Sequence, residues 1–111
     1  MNKYRDKSDV EINKAVVIVL GAHEVATDIF IDKNRRYDFD KPKSQFFFDP
    51  CNNPADAMPI IIENGISMVH VNNEWSARQF HNHCIEVNDS NYYRAAMEVF
   101  LMMKDAENEK I

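Results

Sequence analysis

The sequence predicts an α+β fold: a small antiparallel sheet of three to four strands, packed by an N-terminal and a C-terminal helix, with a short Pro-containing helix between them. Three observations predict it. Two long segments, near the start and at the end, carry helical periodicity with caps. Between them lie short alternating runs rich in β-branched and aromatic residues. A central stretch, residues 46–66, reads as strand end, turn, capped helix and helix stop within twenty-one residues.

The first helix opens on a capping box, with Ser8 at the N-cap and Glu11 three residues later. It runs to Leu20 and stops at Gly21. Ile12, Ala15, Val16, Val19 and Leu20 form its apolar stripe, which Val17 and Ile18 widen. Residues 25–32 follow as a strand, with Val25, Thr27, Ile29 and Ile31 on one face and Ala26, Asp28, Phe30 and Asp32 on the other. Residues 33–43 form a loop or frayed strand.

In the central stretch, Phe46, Phe47 and Phe48 suit a strand end, which Asp49-Pro50 closes because proline brings no amide to a ladder. Asn53 is an N-cap and Pro54 the first helical residue, where its missing N–H costs nothing. Asp56 falls at the third helical position, where a carboxylate meets free amides and the positive end of the helix dipole. Asn64-Gly65 is the stop. Pro59 lies inside this helix and predicts a kink or a restart near Met58. The run Ile60, Ile61, Ile62 predicts burial on more than one side.

Residues 66–72 and 74–80 form a hairpin about Asn72-Asn73, with Trp75, Ala77 and Gln79 on one face. Ile85 and Val87 belong to a last short strand after a bend at His81-Asn82. Asp89 and Ser90 are N-cap candidates for the final helix, 91 to about 105, with Tyr92, Ala96, Val99 and Met103 along its inner face. Residues 106–111 are expected to fray as a polar tail.

The chain has 111 residues, 45% of them hydrophobic, which suits a single domain spanning 1–111 with its own core. A formal charge of −5 argues against duplex-DNA binding, which needs a basic surface. Two cysteines, Cys51 and Cys84, show no framework spacing and suit a reducing cytoplasm. The longest apolar run, about residues 15–20, is too short to cross a membrane, and the polar start is no signal peptide.

Four groups of residues are candidates for chemistry. Asp49, Asn52, Asn53 and Asp56 present a polar loop to a ligand or partner, although turn and cap roles already account for each. Trp75 is the lone tryptophan, an anchor for a core, an interface or a stacked ring. In residues 33–43, Lys33, Arg35, Arg36, Lys41 and Lys43 outnumber Asp38 and Asp40, and Tyr37 and Phe39 interleave with them, a pattern that can grip single strands, although a solvated loop with both rings packed on the core accounts for it more simply. His81, His83 and Cys84, with His70 or Cys51, have metal-ligand chemistry. Their spacing is not that of a structural zinc site, so neither metal nor cofactor is expected. With only Gly21 and Gly65, the chain has no phosphate-binding glycine loop. It also has no nucleophile elbow, HExxH or CxxC.

Three blocks of residues resemble the NinX family of phage proteins, named for the nin region of lambda-like phages. They are residues 8–14 with Leu20-Gly21; residues 48–57 running on to Pro59, Ile60, Ile61, Gly65 and Ile66; and residues 94–97 with 99–103. The resemblance implies an accessory protein of an infected bacterium, of unknown function, and carries over no catalytic residue. The expected function is a non-enzymatic binding module for a host or phage protein, or one that sequesters a small molecule. The alternative is a single-stranded nucleic-acid accessory protein using residues 33–43. An exposed sheet edge makes homo-oligomers a further expectation.

Overall fold

A computed structural model describes residues 2–80 and 84–109. Its elements are α1 (Asp9–Val19), β1 (His23–Ala26), β2 (Ile29–Ile31), β3 (Arg36–Asp38), α2 (Pro54–Glu63), β4 (Ser67–Val71), β5 (Glu74–Gln79), β6 (Ile85–Asp89) and α3 (Tyr92–Asn108). The fold is α+β, as the sequence predicts. The strands divide, however, into two antiparallel sheets of three, β1-β2-β3 and β4-β5-β6, rather than joining in one.

The division arises at residues 25–32. Their unbroken β-branched pattern hides a turn: Asp28 takes φ +59° and reverses the chain, so β1 and β2 pair as a hairpin with a bulge between Glu24 and Ala26. Aspartate is one of the few non-glycine residues that tolerate this left-handed geometry. The expected single strand is thus two, and Phe30 rather than Val25 points into the core. Of the two expectations for residues 33–43, loop or frayed strand, Arg36–Asp38 takes the strand as β3. The expected strand at Phe46–Phe48 is only a parallel bridge, Asp38 to Phe47.

Sheet β4-β5-β6 keeps full register. Asn72 and Asn73 both take positive φ, +53° and +65°, and pair His70 with Trp75 and Val71 with Glu74. A two-residue turn with both residues left-handed matches the twist of its strands. The bend expected at His81-Asn82 lies outside the described residues.

Helix α3 packs on β5 and β6, and α1 and α2 pack on α3. Its inner face, including Met97, Val99, Phe100 and Leu101, is fully buried, so these side chains fill the core. The N-cap is Asn91 rather than Asp89 or Ser90, and the helix continues to Asn108, beyond the start of the expected tail. The buried stripe of α1 is Ile12, Asn13, Val16 and Val17; Ile18, Val19 and Leu20 face outward.

Helix α2 runs through Pro59 without a break. Ala55, whose carbonyl loses its partner to Pro59, is an exposed residue, so the missing bond falls on the solvent side of the helix, where its cost is smallest. Ile60 and Ile61 are buried, but Ile62 is 73% exposed, so the isoleucine run is buried on one side only. Gly65, at φ +62°, closes the helix, with the Ile66 amide donating to the Ile61 carbonyl.

Candidate functional site

The polar loop 49–56 is a junction. The Asn13 amide on α1 donates to Asp49 (2.8 Å), and the Cys51 backbone N–H donates to Asn13 Oδ1 (3.2 Å). The Asn52 amide donates to Asp9 (3.0 Å) and Asp49 (3.1 Å). The Asn91 amide, at the start of α3, donates to the Cys51 carbonyl (2.8 Å) and to Asn52 Oδ1 (3.1 Å). Asn53 caps α2 by accepting from Ala55, and Asp56 accepts from the Asp49 amide (2.9 Å). The four loop residues singled out in the sequence therefore sit together, with their polar groups engaged inside the protein. Burial, then the nearby Asp9 carboxylate, pushes the Cys51 thiol well above its ordinary pKa, which disfavours the thiolate; Cys84 is exposed.

Beside this junction lies a buried charge cluster that the sequence reading missed. Arg94 is 8% exposed and Glu98 2%. Arg94 donates to Glu98 (2.6 Å), to Asp9 (2.7 Å) and to the Tyr4 and Lys7 carbonyls (2.9 and 2.8 Å). The Asn2 amide donates to the other oxygen of Glu98 (2.6 Å), and the Tyr4 hydroxyl to Asp105. Burial opposes the guanidinium charge, but the bonds to Glu98 and Asp9 outweigh it and hold the pKa above its ordinary value. The one sequence signal was the i, i+4 spacing of Arg94 and Glu98, which on an exposed helix marks only a surface pair.

The basic loop does not present its aromatic rings. Tyr37 is 5% exposed and Phe39 4%; both pack edge-to-face in the core, Tyr37 on Phe48 and Phe39 on Phe30. Of the two expectations for these rings, packing on the core therefore holds, and the stacking on bases that the nucleic-acid alternative needs does not. Arg35 lies over Tyr37 (4.8 Å) and Phe48 (5.1 Å), and Arg36 lies over Phe46 (5.1 Å) while pairing with Asp38 (2.8 Å). Both guanidinium groups are committed within the protein, although each stays partly exposed.

Asp38 is itself buried, accepting from Arg36 and from the Ser44 hydroxyl (2.8 Å). The Arg36 bond, joined by Ser44, holds its pKa below the usual carboxylate value. A depressed folded pKa adds stability that is present above the unfolded value, about 3.9, and is lost as pH falls through the folded value. Urea midpoints from pH 7 to pH 2 are expected to show Asp38→Asn less stable at neutral pH, with the two curves converging in acid. Curves that stay parallel would remove Asp38 from the acid response.

Trp75 belongs to a surface that is not consumed internally. It is half-buried, 4.9 Å from the ring of His70 and 4.9 Å from Tyr92, and Tyr92 is 5.0 Å from Tyr93. Cross-strand pairing places His70 beside Trp75, and Asp89 flanks Trp75 on the other side. Among the described residues, the Trp75 N–H, both tyrosine hydroxyls and the His70 ring have no hydrogen-bond partner, and no cation lies over these rings. The row adjoins the polar junction, because Tyr92 follows Asn91. Alternation along β5 made Trp75 legible in the sequence; the stacking of His70, Tyr92 and Tyr93 upon it needed the sheet and helix together.

Among the described residues, no group of three or more His, Cys, Asp or Glu side chains could hold a metal ion. The candidate ligands His81 and His83 lie outside the described residues. One cleft, of about 380 Å³, is lined by Val19, Leu20, Glu63, Asn64, Phe100 and Lys104; another, of about 300 Å³, lies beside Ile85, Met102 and Asp105. Among the described residues, no helix is long and apolar enough to cross a membrane.

These features define a small α+β protein whose buried polar groups are tied up in structure, with a partly exposed aromatic row and no catalytic motif in its sequence. Residues 3–104 match the family model described as Bacteriophage P22, NinX, and the chain belongs to that family of phage proteins of unknown function. No curated protein and no solved structure matches the chain.

Proposed function

We propose that the protein is a non-enzymatic binding module that docks a host or phage protein on the row His70, Trp75, Tyr92 and Tyr93. The observation that supports this reading is the set of unused polar tips on partly exposed rings. Tryptophan and tyrosine are the residues that dominate interface energetics, since each offers a large apolar body and one polar handle. The row is an open face, which suits a protein better than the enclosed pocket a small molecule needs. The single-strand reading loses its stacking platform with Tyr37 and Phe39 buried.

Replacing Tyr93 with a photoreactive p-benzoylphenylalanine and irradiating infected cells tests the proposal. The expected result is a discrete, protease-sensitive adduct that is absent when the probe stands at exposed Gln45. Adducts only to nucleic acid, or none at all, would sink it.

A further inference from the structure

Resting on that reading, we infer that the partner presents an extended, basic segment that adds to β4 as a fourth strand beside the aromatic row. β4 is an edge of its sheet, paired only with β5, and no other backbone bond among the described residues reaches Ser67–Val71. Proteins normally blunt such an edge with lysine, proline, an inward charge or a bulge. β4 (SMVHV) has none of these, and its five pairings run without interruption. The other edges are blunted: β1 carries the bulge at Glu24, β3 is bridged by Phe47, and β6 bears Glu86 and Asp89.

The two faces of β4 define what an added strand must carry. On one face, Val69 and Val71 are 39% and 38% exposed and take apolar side chains. On the other, His70 leads to Trp75, so alternate side chains of the added strand reach the aromatic row. The charges at that end are Glu74 and Asp89, neither in an ion pair among the described residues. Arg78, at the far end, is held by Glu86 at 3.5 Å. Asp89, paired with Trp75, lies on the aromatic face and Glu74, paired with Val71, on the valine face. A carboxylate on each face at this end favours lysine or arginine in the added segment through Coulomb attraction, with cation–π contact on the aromatic side. An extended segment of about five or six residues spans the edge.

The test uses the full chain and three synthetic peptides of equal length, with valine alternating with lysine, glutamate or serine. Trp75 fluorescence reports docking, and amide hydrogen exchange of residues 67–71 reports pairing. The lysine peptide is expected to bind at least about 10-fold tighter than the glutamate peptide, to weaken with salt and to slow β4 exchange. Glu74→Lys, at an exposed position on the valine face, is expected to narrow that preference while Asp89 sustains part of it. Equal affinity for the lysine and glutamate peptides, or none for any peptide, overturns the inference. A fluorescence response without β4 protection overturns strand addition and leaves docking on the row intact. Concentration-dependent β4 protection without peptide assigns the edge to a second copy of this chain, and also overturns it. Failure of the protein-binding reading itself is read separately, from the Tyr93 crosslink.

Discussion

Arg94→Met is expected to lower stability by about 3–5 kcal/mol, because it leaves Glu98 as an unpaired buried carboxylate. The same change removes the donors to Asp9 and to the Tyr4 and Lys7 carbonyls, so the backbone of the N-terminal segment loses its direct tie to α3 and is held there through the Asn2–Glu98 and Tyr4–Asp105 side-chain bonds. Lysine is not expected to rescue the variant, since one ammonium cannot span two carboxylates and two carbonyls as a guanidinium fork does. The double variant Arg94→Met/Glu98→Leu is expected to recover much of the loss, because it removes the stranded charge along with its partner. Urea unfolding of the wild type and the three variants checks this. A loss below about 1 kcal/mol for Arg94→Met would mean that water reaches Glu98 and the cluster is not buried.

Asn91→Ala is expected to cost about 2–4 kcal/mol, from two sources that a second variant separates. Asn91 Oδ1 caps α3 by accepting from the Tyr93 and Arg94 amides at 2.9 and 3.2 Å. Its amide group donates to the Cys51 carbonyl, on a residue with no exposed surface, and to Asn52. Asn91→Asp keeps the cap and loses the donors, so it reads the tie to loop 49–56 apart from the cap, with the repulsion of its carboxylate from the Cys51 carbonyl and Asn52 Oδ1 included. The expected order of stability is wild type, then Asp, then Ala. If the Asp variant matches wild type, the tie between α3 and the 49–56 loop contributes nothing.

Both predictions rest on residues to which the sequence reading gave no weight beyond their helical positions. Asn91 appeared only as the start of the last helix, because Asp89 and Ser90 are equally good caps by type; the carbonyl of Cys51, forty residues away, selects Asn91. Asn13 and Arg94 sit on helix faces that read as partly polar. They are buried because loop 49–56 and the N-terminal segment fold over them and supply acceptors, Asp49 to Asn13, and Asp9 with the Tyr4 and Lys7 carbonyls to Arg94. Local signals stop where a polar group finds its partner across the chain.

The signals that depend on a few neighbouring residues proved sufficient. The Ser8/Glu11 capping box, the Asn53-Pro54 helix start, the stops at Gly21 and Gly65 and the Asn72-Asn73 hairpin are each decided within about four residues, and the sequence by itself determined them. Alternation also placed Trp75, Ala77 and Gln79 on one face. Tertiary structure decided the rest. It turned Tyr37 and Phe39 inward, broke residues 25–32 at Asp28 and split the strands into two sheets. It also rotated α1 so that Asn13 rather than Leu20 is buried. Periodicity states that a face is apolar, but only the competition for buried surface among all the elements decides which face wins, and which aromatic rings are left outside for a partner.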